Sequence, residues 1–290
     1  MESVTAAPAP TRKPKPLPAW IKLRLAAINF VNPSRLANNN IVELPFGKIL
    51  KLNAPANEVA AMEFVRANTA IPVPKILDLY DPQPNGSAHI LMTRIPGTPL
   101  GHALPSMTPA QIQSVASDLA GYLAQLHQLA PPTPASSSPQ VSIPVSGTAL
   151  GPGYDHRLGS HHWGPFPTVA AFHTFVRFGE PLSDWAHEPA VVEVHGKPEG
   201  AYRVRYTHAD LSPRNILVDA AAGKITGIID WEFGGWYPEY WEYTKMHYCA
   251  RPHWKRWLDA VGREGGVERY EREVVAEEVI GLRAGPYGYD

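Results

Sequence analysis

The sequence predicts an α+β fold in which a small block of antiparallel strands with one helix precedes a larger, mainly helical block. Three observations predict it. Short apolar runs over residues 41–52 and 75–93, broken by turn residues, carry the signature of paired strands. Between them, residues 57–69 place apolar side chains at three- and four-residue steps, the period of a helix. Beyond residue 100 the pattern is mostly helical, with one further hairpin over residues 216–229.

A chain of 290 residues has room for one large domain or two lobes with substantial cores. Its 44% hydrophobic and 18% charged residues fit a globular protein. A net charge of −1 gives no global attraction for nucleic acid or a membrane. No run approaches the ~18 apolar residues of a spanning helix. The first residues lack the apolar stretch of a secretory signal. A single cysteine, Cys249, excludes an internal disulfide framework, favours a reducing compartment and with it the cytoplasm, and is expected only to pack. Residues 1–39 carry six basic residues against one acid, as a mitochondrial presequence does, but five prolines within the first 18 oppose a helix there.

Taken in order, residues 1–18 read as a flexible tail rich in Pro and Ala. Trp20, Leu23, Ala27, Phe30 and Val31 then form a helical stripe, either a membrane-surface face or, the preferred reading, the face that docks on its own domain. Strands follow over Ile41–Phe46 and Ile49–Leu52. Lys51 lies on the opposite face from Leu50 and Leu52; by alternation alone it is an exposed strand lysine. The helix over 57–69 carries Glu58 and Glu63 and ends at Ile71-Pro72-Val73-Pro74. Strands over Lys75–Tyr80 and His89–Thr93 complete the first block.

Thr108 as N-cap and Pro109 at the first helical position open a helix over 109–129, with Ile112, Val115, Leu119, Leu123 and Leu126 as its stripe and a packing role for His127. Residues 131–167, rich in Pro, Ser and Gly, form a long connection, and such a length is often functional, here as a substrate-facing insertion. His161-His162 within it lacks partners at metal-ligand spacing. A helix over Val169–Gly179, strands at Ala190–Val194 and Tyr202–Tyr206 and a last helix over Val267–Leu282 complete the pattern. The aromatic-rich segment Trp236–Tyr243, without a basic run beside it, is assigned to core packing in preference to base stacking. Between Asp259 and Asp290 eight acids face four basic residues: a solvated face, or a negative rim for a cationic substrate.

The chemistry concentrates in residues 206–232. Ile216–Val218 and Ile225–Ile229 flank a turn at Gly223; His208, Asp210 and Asn215 precede the first strand and Asp230 follows the second. A hairpin brings those carboxylates and the carboxamide together, and hard oxygen donors of this kind suit Mg²⁺ with phosphates.

His208-Ala209-Asp210-Leu211-Ser212-Pro213-Arg214-Asn215 resembles the catalytic loop of protein kinases and, more closely, that of the aminoglycoside phosphotransferase and choline kinase group; Ile228-Ile229-Asp230-Trp231-Glu232 resembles the group's metal-binding stretch. The resemblance extends over about residues 40–290. It implies a bilobal protein-kinase-like fold, with a small antiparallel-sheet N-lobe holding one key helix (19–95) and a mainly helical C-lobe (96–290) carrying the catalytic loop at 206–215 and the metal-binding stretch at 228–232. It further implies ATP in the cleft, with Lys51 on the α/β-phosphates and Glu58 holding Lys51. The backbone of Thr93 and Ile95 faces adenine in the hinge Met92–Ile95, Asp210 is the base, and Asn215 and Asp230 bind Mg²⁺. His208 becomes a prop for the loop.

Ala209 stands where the family has Gly, and Ser212 where protein kinases have a lysine, which argues against a protein substrate. Arg214 contacts phosphate or pairs with an acid such as Glu232; the sequence leaves both open. Leu44-Pro45-Phe46-Gly47, with one glycine, occupies the place of the phosphate-covering loop. The implied activity is ATP- and Mg²⁺-dependent phosphoryl transfer to the hydroxyl of a small, amino-bearing molecule. Its rival is a catalytically idle kinase-like binding protein. Neither nucleic acid nor a membrane is an expected partner, and no feature sets an oligomeric state.

Overall fold

In the computed structural model, which describes residues 13–31, 40–84, 86–131, 143–159, 161–248, 250–264 and 267–284, the first lobe is an antiparallel sheet of β1 (Ile41–Leu44), β2 (Lys48–Ala54), β3 (Ile76–Tyr80) and β4 (Ala88–Thr93) in the order β1-β2-β4-β3. Phe46 and Gly47 both take left-handed backbone (φ 61° and 64°), which closes the tight β1–β2 turn. Lys48 faces Thr93 and Lys51 faces Ile90 across the β2–β4 pair, with a register shift between Lys51 and Ala54. One helix, α2 (Ala56–Asn68), covers one face of the sheet and buries Val59, Met62 and Val65. Its Phe64 reaches the second lobe, 5.0 Å from the Tyr206 ring and 6.0 Å from that of Trp236, so this helix is shared by both cores.

The other face of the sheet buries Val42, Leu44, Leu50, Tyr80 and Leu91 under α1 (Ala19–Val31). Here the structure departs from the sequence reading. Ile21, Leu25 and Ile28 dock on the sheet, while the predicted docking stripe points outward: Trp20, Leu23, Phe30 and Val31 are 52%, 72%, 91% and 81% exposed. The helix has two apolar stripes, and periodicity cannot say which one meets the sheet. Residues 13–18 are also not a free tail. Lys15 bridges Tyr80 in parallel, donating its N–H to Leu79 O and accepting that of Asp81, and Leu17 is buried. An extended, proline-rich segment suits this place because an edge needs few ladder donors.

The second lobe is built on α3 (Pro109–Gln128). Thr108 and Gln111 form a reciprocal capping box, and the predicted stripe is buried. Val169–Val176 form α4. Residues 190–194, read as a strand, lie instead in α5 (Pro189–His195), with Pro189 in the first turn and Ala190, Val191 and Val194 buried together. A short valine-rich run is ambiguous in period, and tertiary packing decides it. Beside a two-residue β5 (Thr98–Pro99), β8 (Ile216–Asp219) and β9 (Lys224–Ile228) form the expected hairpin, with Gly223 at φ 62° in its turn. A third small sheet joins β6 (Ser146–Gly147), β10 (Gly235–Pro238) and β7 (Val204–Thr207). Trp236, Tyr237, Tyr240 and Trp241 are fully buried in the core, as assigned. Helices α6 (Trp241–His247), α7 (Lys255–Val261) and α8 (Glu271–Ala284) end the lobe. Among the described residues no helix is long and apolar enough to cross a membrane, and Cys249 lies outside them.

Of the long connection, residues 132–142 lie outside the described residues. Its later part is pinned to the core: Val145 pairs with Phe166 and Gly153 with Trp163. Asp155, wholly buried, accepts from Lys245 Nζ of α6 at 2.6 Å. Arg157 forms a buried ion pair with Glu277 of α8 and lies 5.1 Å from the Trp241 ring centroid. The acids of α8 therefore form no continuous negative rim. Glu273 accepts from Tyr202 Oη and Lys197 Nζ, and Glu277 serves Arg157.

A buried pair with one partner removed leaves an uncompensated charge, so Asp155→Ala should destabilise the fold by about 3–5 kcal/mol. Asp155→Leu/Lys245→Met should recover most of the loss, as read from urea denaturation midpoints.

Candidate active site

Lys51 is the point at which the lobes meet. On β2 it faces away from Leu50 and is only 5% exposed, so it is not the exposed strand lysine that alternation alone suggests. Its ammonium lies 2.8 Å from Glu58 of α2, 2.5 Å from Asp230 and 3.6 Å from Glu232. Burial alone would lower its pKa; the carboxylates of Glu58, Asp230 and Glu232 reverse this and raise it above the ordinary lysine value. Three carboxylates share one cation. The most buried of them, Glu58, is pushed up to about 7 by burial against the pull of Lys51.

The candidate catalytic loop is positioned by hydrogen bonds to its backbone. After β7 the chain turns through His208 and Ala209, whose N–H groups donate to the buried Glu242 carboxylate of α6 at 2.6 and 3.3 Å. Ala209 is left-handed at φ 64°, which costs a residue with a Cβ about 1–2 kcal/mol. His208 acts as the expected prop. Its Nδ1 accepts the Asp210 N–H, and that leaves Nε2–H to donate to Ile229 O at 3.0 Å. Burial pushes its pKa down to about 4, so the ring is neutral. The imidazole thus ties the loop to the strand end that carries Asp230. A second tie runs from Ile229 N–H to Asn215 O.

Asn215 Nδ2 donates to Asp210 Oδ2 at 2.6 Å and to Asp210 O at 2.9 Å, which leaves its Oδ1 as an acceptor. Burial first, then the like charge of Asp230, raises Asp210 to about 6, against the pull of Lys245, Arg214 and the Asn215 bond. Asp230 is left-handed at φ 67° with its carboxylate part-exposed. Among the described residues, Glu58, Asp230 and Glu232 offer ligand atoms within 4.8 Å of one another. These three carboxylates are an all-oxygen donor set of the kind that fits a hard divalent cation.

The linker between lobes is arranged differently from the sequence expectation. Thr93 gives its N–H to Lys75 O and takes the Lys75 N–H on its hydroxyl. Among the described residues, Ile95 N–H and C=O have no hydrogen-bond partner, so Ile95 is the backbone free to meet a ligand. The turn at Leu44–Gly47 is not a cover over Lys51: Gly47 O accepts the Arg94 N–H, which holds the turn beside the linker. Glu232 faces Lys51, which removes it as the partner of Arg214; Arg214 is exposed near Asp210.

Beside Glu232 a cavity of about 700 Å³ opens between the first turn of α2 and residues 149–156, with Tyr154, His156 and His162 on its wall. Behind that wall the Phe233 ring lies 5.7 Å from that of Tyr154, tilted, and 5.2 Å from that of His156, edge-on. Asn57 fastens three segments around it, donating to Glu232 O and Gly234 O and accepting the Thr148 N–H. His161 and His162 belong to no group of potential metal ligands among the described residues. Asn57 and Glu242 are contributions that the sequence did not signal. Each is one polar residue among several on its helix, and only the fold shows what it reaches.

A model of the phosphotransferase enzyme family matches residues 47–277. Comparison with curated proteins finds no match. Among solved structures, the chain is similar to the GDP complex of wild-type aminoglycoside 2'-phosphotransferase-IIIa, with 14% identity, a TM-score of 0.53 and coverage of 91% of this chain and 93% of that one. It is similar also to the GDP and kanamycin complex of APH(2")-IIia, with 12% identity, a TM-score of 0.51 and coverage of 89% and 87%. A third, aminoglycoside phosphotransferase APH(3'')-Id from Streptomyces rimosus ATCC10970, aligns at 15% identity and a TM-score of 0.49 over 90% and 98% of the two chains. At these identities the likeness is one of fold, and the fold is that of the kinase-like phosphotransferases.

Removing Glu242 orphans two buried N–H groups at roughly 1–3 kcal/mol each. Glu242→Leu should lower stability by about 2–4 kcal/mol, and the His208 and Ala209 amides should lose hydrogen-exchange protection ahead of the β8–β9 hairpin.

Proposed function

This chain belongs to the phosphotransferase enzyme family, and we propose that it is a small-molecule kinase that moves the γ-phosphoryl group of ATP to a hydroxyl, with Mg²⁺. The observation that carries the reading is the convergence of Lys51, Asp210, Asn215 and Asp230, which come from both lobes, on one cleft. Phosphoryl transfer through a loose transition state needs alignment and charge cancellation more than covalent help.

Each role follows from chemistry. Lys51, charged and held by Glu58, binds the α/β-phosphates. The Ile95 backbone meets adenine, a role Thr93 cannot share through its N–H. Asp210 accepts or orients the proton of the acceptor hydroxyl, and the Asn215 amide fixes the carboxylate rotamer. Asn215 Oδ1 and the Asp230 carboxylate would hold Mg²⁺, with Glu232 next to them. When bound, the ion supplies charge neutralisation between the phosphates.

The acceptor is proposed to be amino-bearing, on different grounds from the acidic rim. Tyr154, His156 and His162 give the cavity an aromatic wall and Glu232 gives it a carboxylate, a pairing that suits an ammonium group. The GDP and kanamycin complex of the similar structure supports the same class.

Asp210→Asn should reduce turnover about 10²–10⁴-fold while the thermal shift by Mg-ATP persists; wild-type turnover in this variant would refute the base assignment. A coupled nucleotide-release screen of hydroxylated amines, with ATP and GTP compared, identifies the acceptor. Absence of any Mg-nucleotide stabilisation at millimolar concentration would favour the idle binding protein. Because Asp210 must be a carboxylate and its pKa stands at about 6, turnover should fall as pH drops through that value.

A further inference from the structure

Helix α1 is apolar on two sides, and among the described residues only one of them has a partner within the lobe. Ile21, Leu25 and Ile28 dock on the sheet. At 100° per residue, Leu23, Ala26, Ala27 and Phe30 lie opposite that face, with Trp20 and Val31 on their border. A helix apolar all round is normally buried all round. The exposure of Trp20, Leu23, Phe30 and Val31, from 52% to 91%, is therefore a contact surface without its contact.

Charge selects the occupant. Lys22 lies on one flank of the outward stripe and Arg24 on the other, both exposed, with one Arg24 nitrogen donating to Glu43 O at 2.9 Å. The helix has no acidic residue, and the first 39 residues have six basic residues against one acid. A second copy packing face to face would set these cations against each other. An apolar stripe between two cationic borders, with a tryptophan at its edge, matches the boundary between headgroups and acyl chains of an anionic bilayer. We propose that the outward face of α1 seats this protein peripherally on an anionic membrane surface, with Leu23 and Phe30 inserted and Lys22 and Arg24 at the headgroups. This departs from the membrane-free expectation of the sequence and does not depend on the enzymatic reading.

Co-sedimentation of the full chain with 3:1 phosphatidylcholine–phosphatidylserine vesicles tests it, against pure phosphatidylcholine. Binding should require the anionic lipid and weaken with salt. Lys22→Gln/Arg24→Gln should weaken it roughly thirtyfold, at about one kcal/mol per cation. Leu23→Ser/Phe30→Ser should abolish it with an unchanged melting temperature, since both side chains are exposed. The proposal fails if the wild-type chain ignores anionic vesicles at low salt, or if both variants bind undiminished. It fails equally if light scattering finds a wild-type dimer that Leu23→Ser/Phe30→Ser dissolves, which would assign the face to a second copy.

Discussion

The arrangement rests on one buried ammonium. Lys51 comes from the sheet, Glu58 from the helix beside it, and Asp230 and Glu232 from the other lobe. Glu58 could not be taken so far from water without a cation, and the lysine could not be buried without its carboxylates. The cluster thus fixes how the lobes face one another, and it leaves a surplus of negative oxygen at the cleft. The same surplus that burdens the folded state is what a divalent ion and a chain of phosphates would use.

Around that centre the chain accepts strain to aim its groups. Ala209 and Asp230 are both left-handed without being glycine, one on each side of the site. Each is held by neighbours that leave it little choice. Glu242 takes the N–H groups of His208 and Ala209, and the neutral His208 ring bridges Asp210 N–H to Ile229 O. Positioning therefore comes from the helix behind the loop as much as from the loop.

Buried charge pairs also explain why the long connection is not simply a flexible flap. Asp155 and Arg157 spend their charges on Lys245 and Glu277, so the part of the connection nearest the cleft is tied to α6 and α8. Acids that look like a binding rim in a linear count are consumed in this way. The candidate acceptor cavity takes its polarity from Glu232 and its shape from Tyr154, His156 and His162.

The sequence by itself determined the elements whose signals are local and redundant. Capping box and stripe define α3, a left-handed glycine between β-rich runs defines the β8–β9 hairpin, and the fixed spacing of Asp210, Asn215 and Asp230 marks the candidate site. Where one local pattern serves two structures, tertiary packing decided. Residues 190–194 became helix because two valines and an alanine were buried together against the lobe; α1 turned Ile21 inward because the sheet offered one apolar face to a helix with two. Asp230 lies 179 residues from Lys51, and Glu242 lies 34 residues from the loop N–H it accepts, distances over which no periodicity carries information. A buried charge is chosen by what the fold brings to it, and that choice exists only in three dimensions.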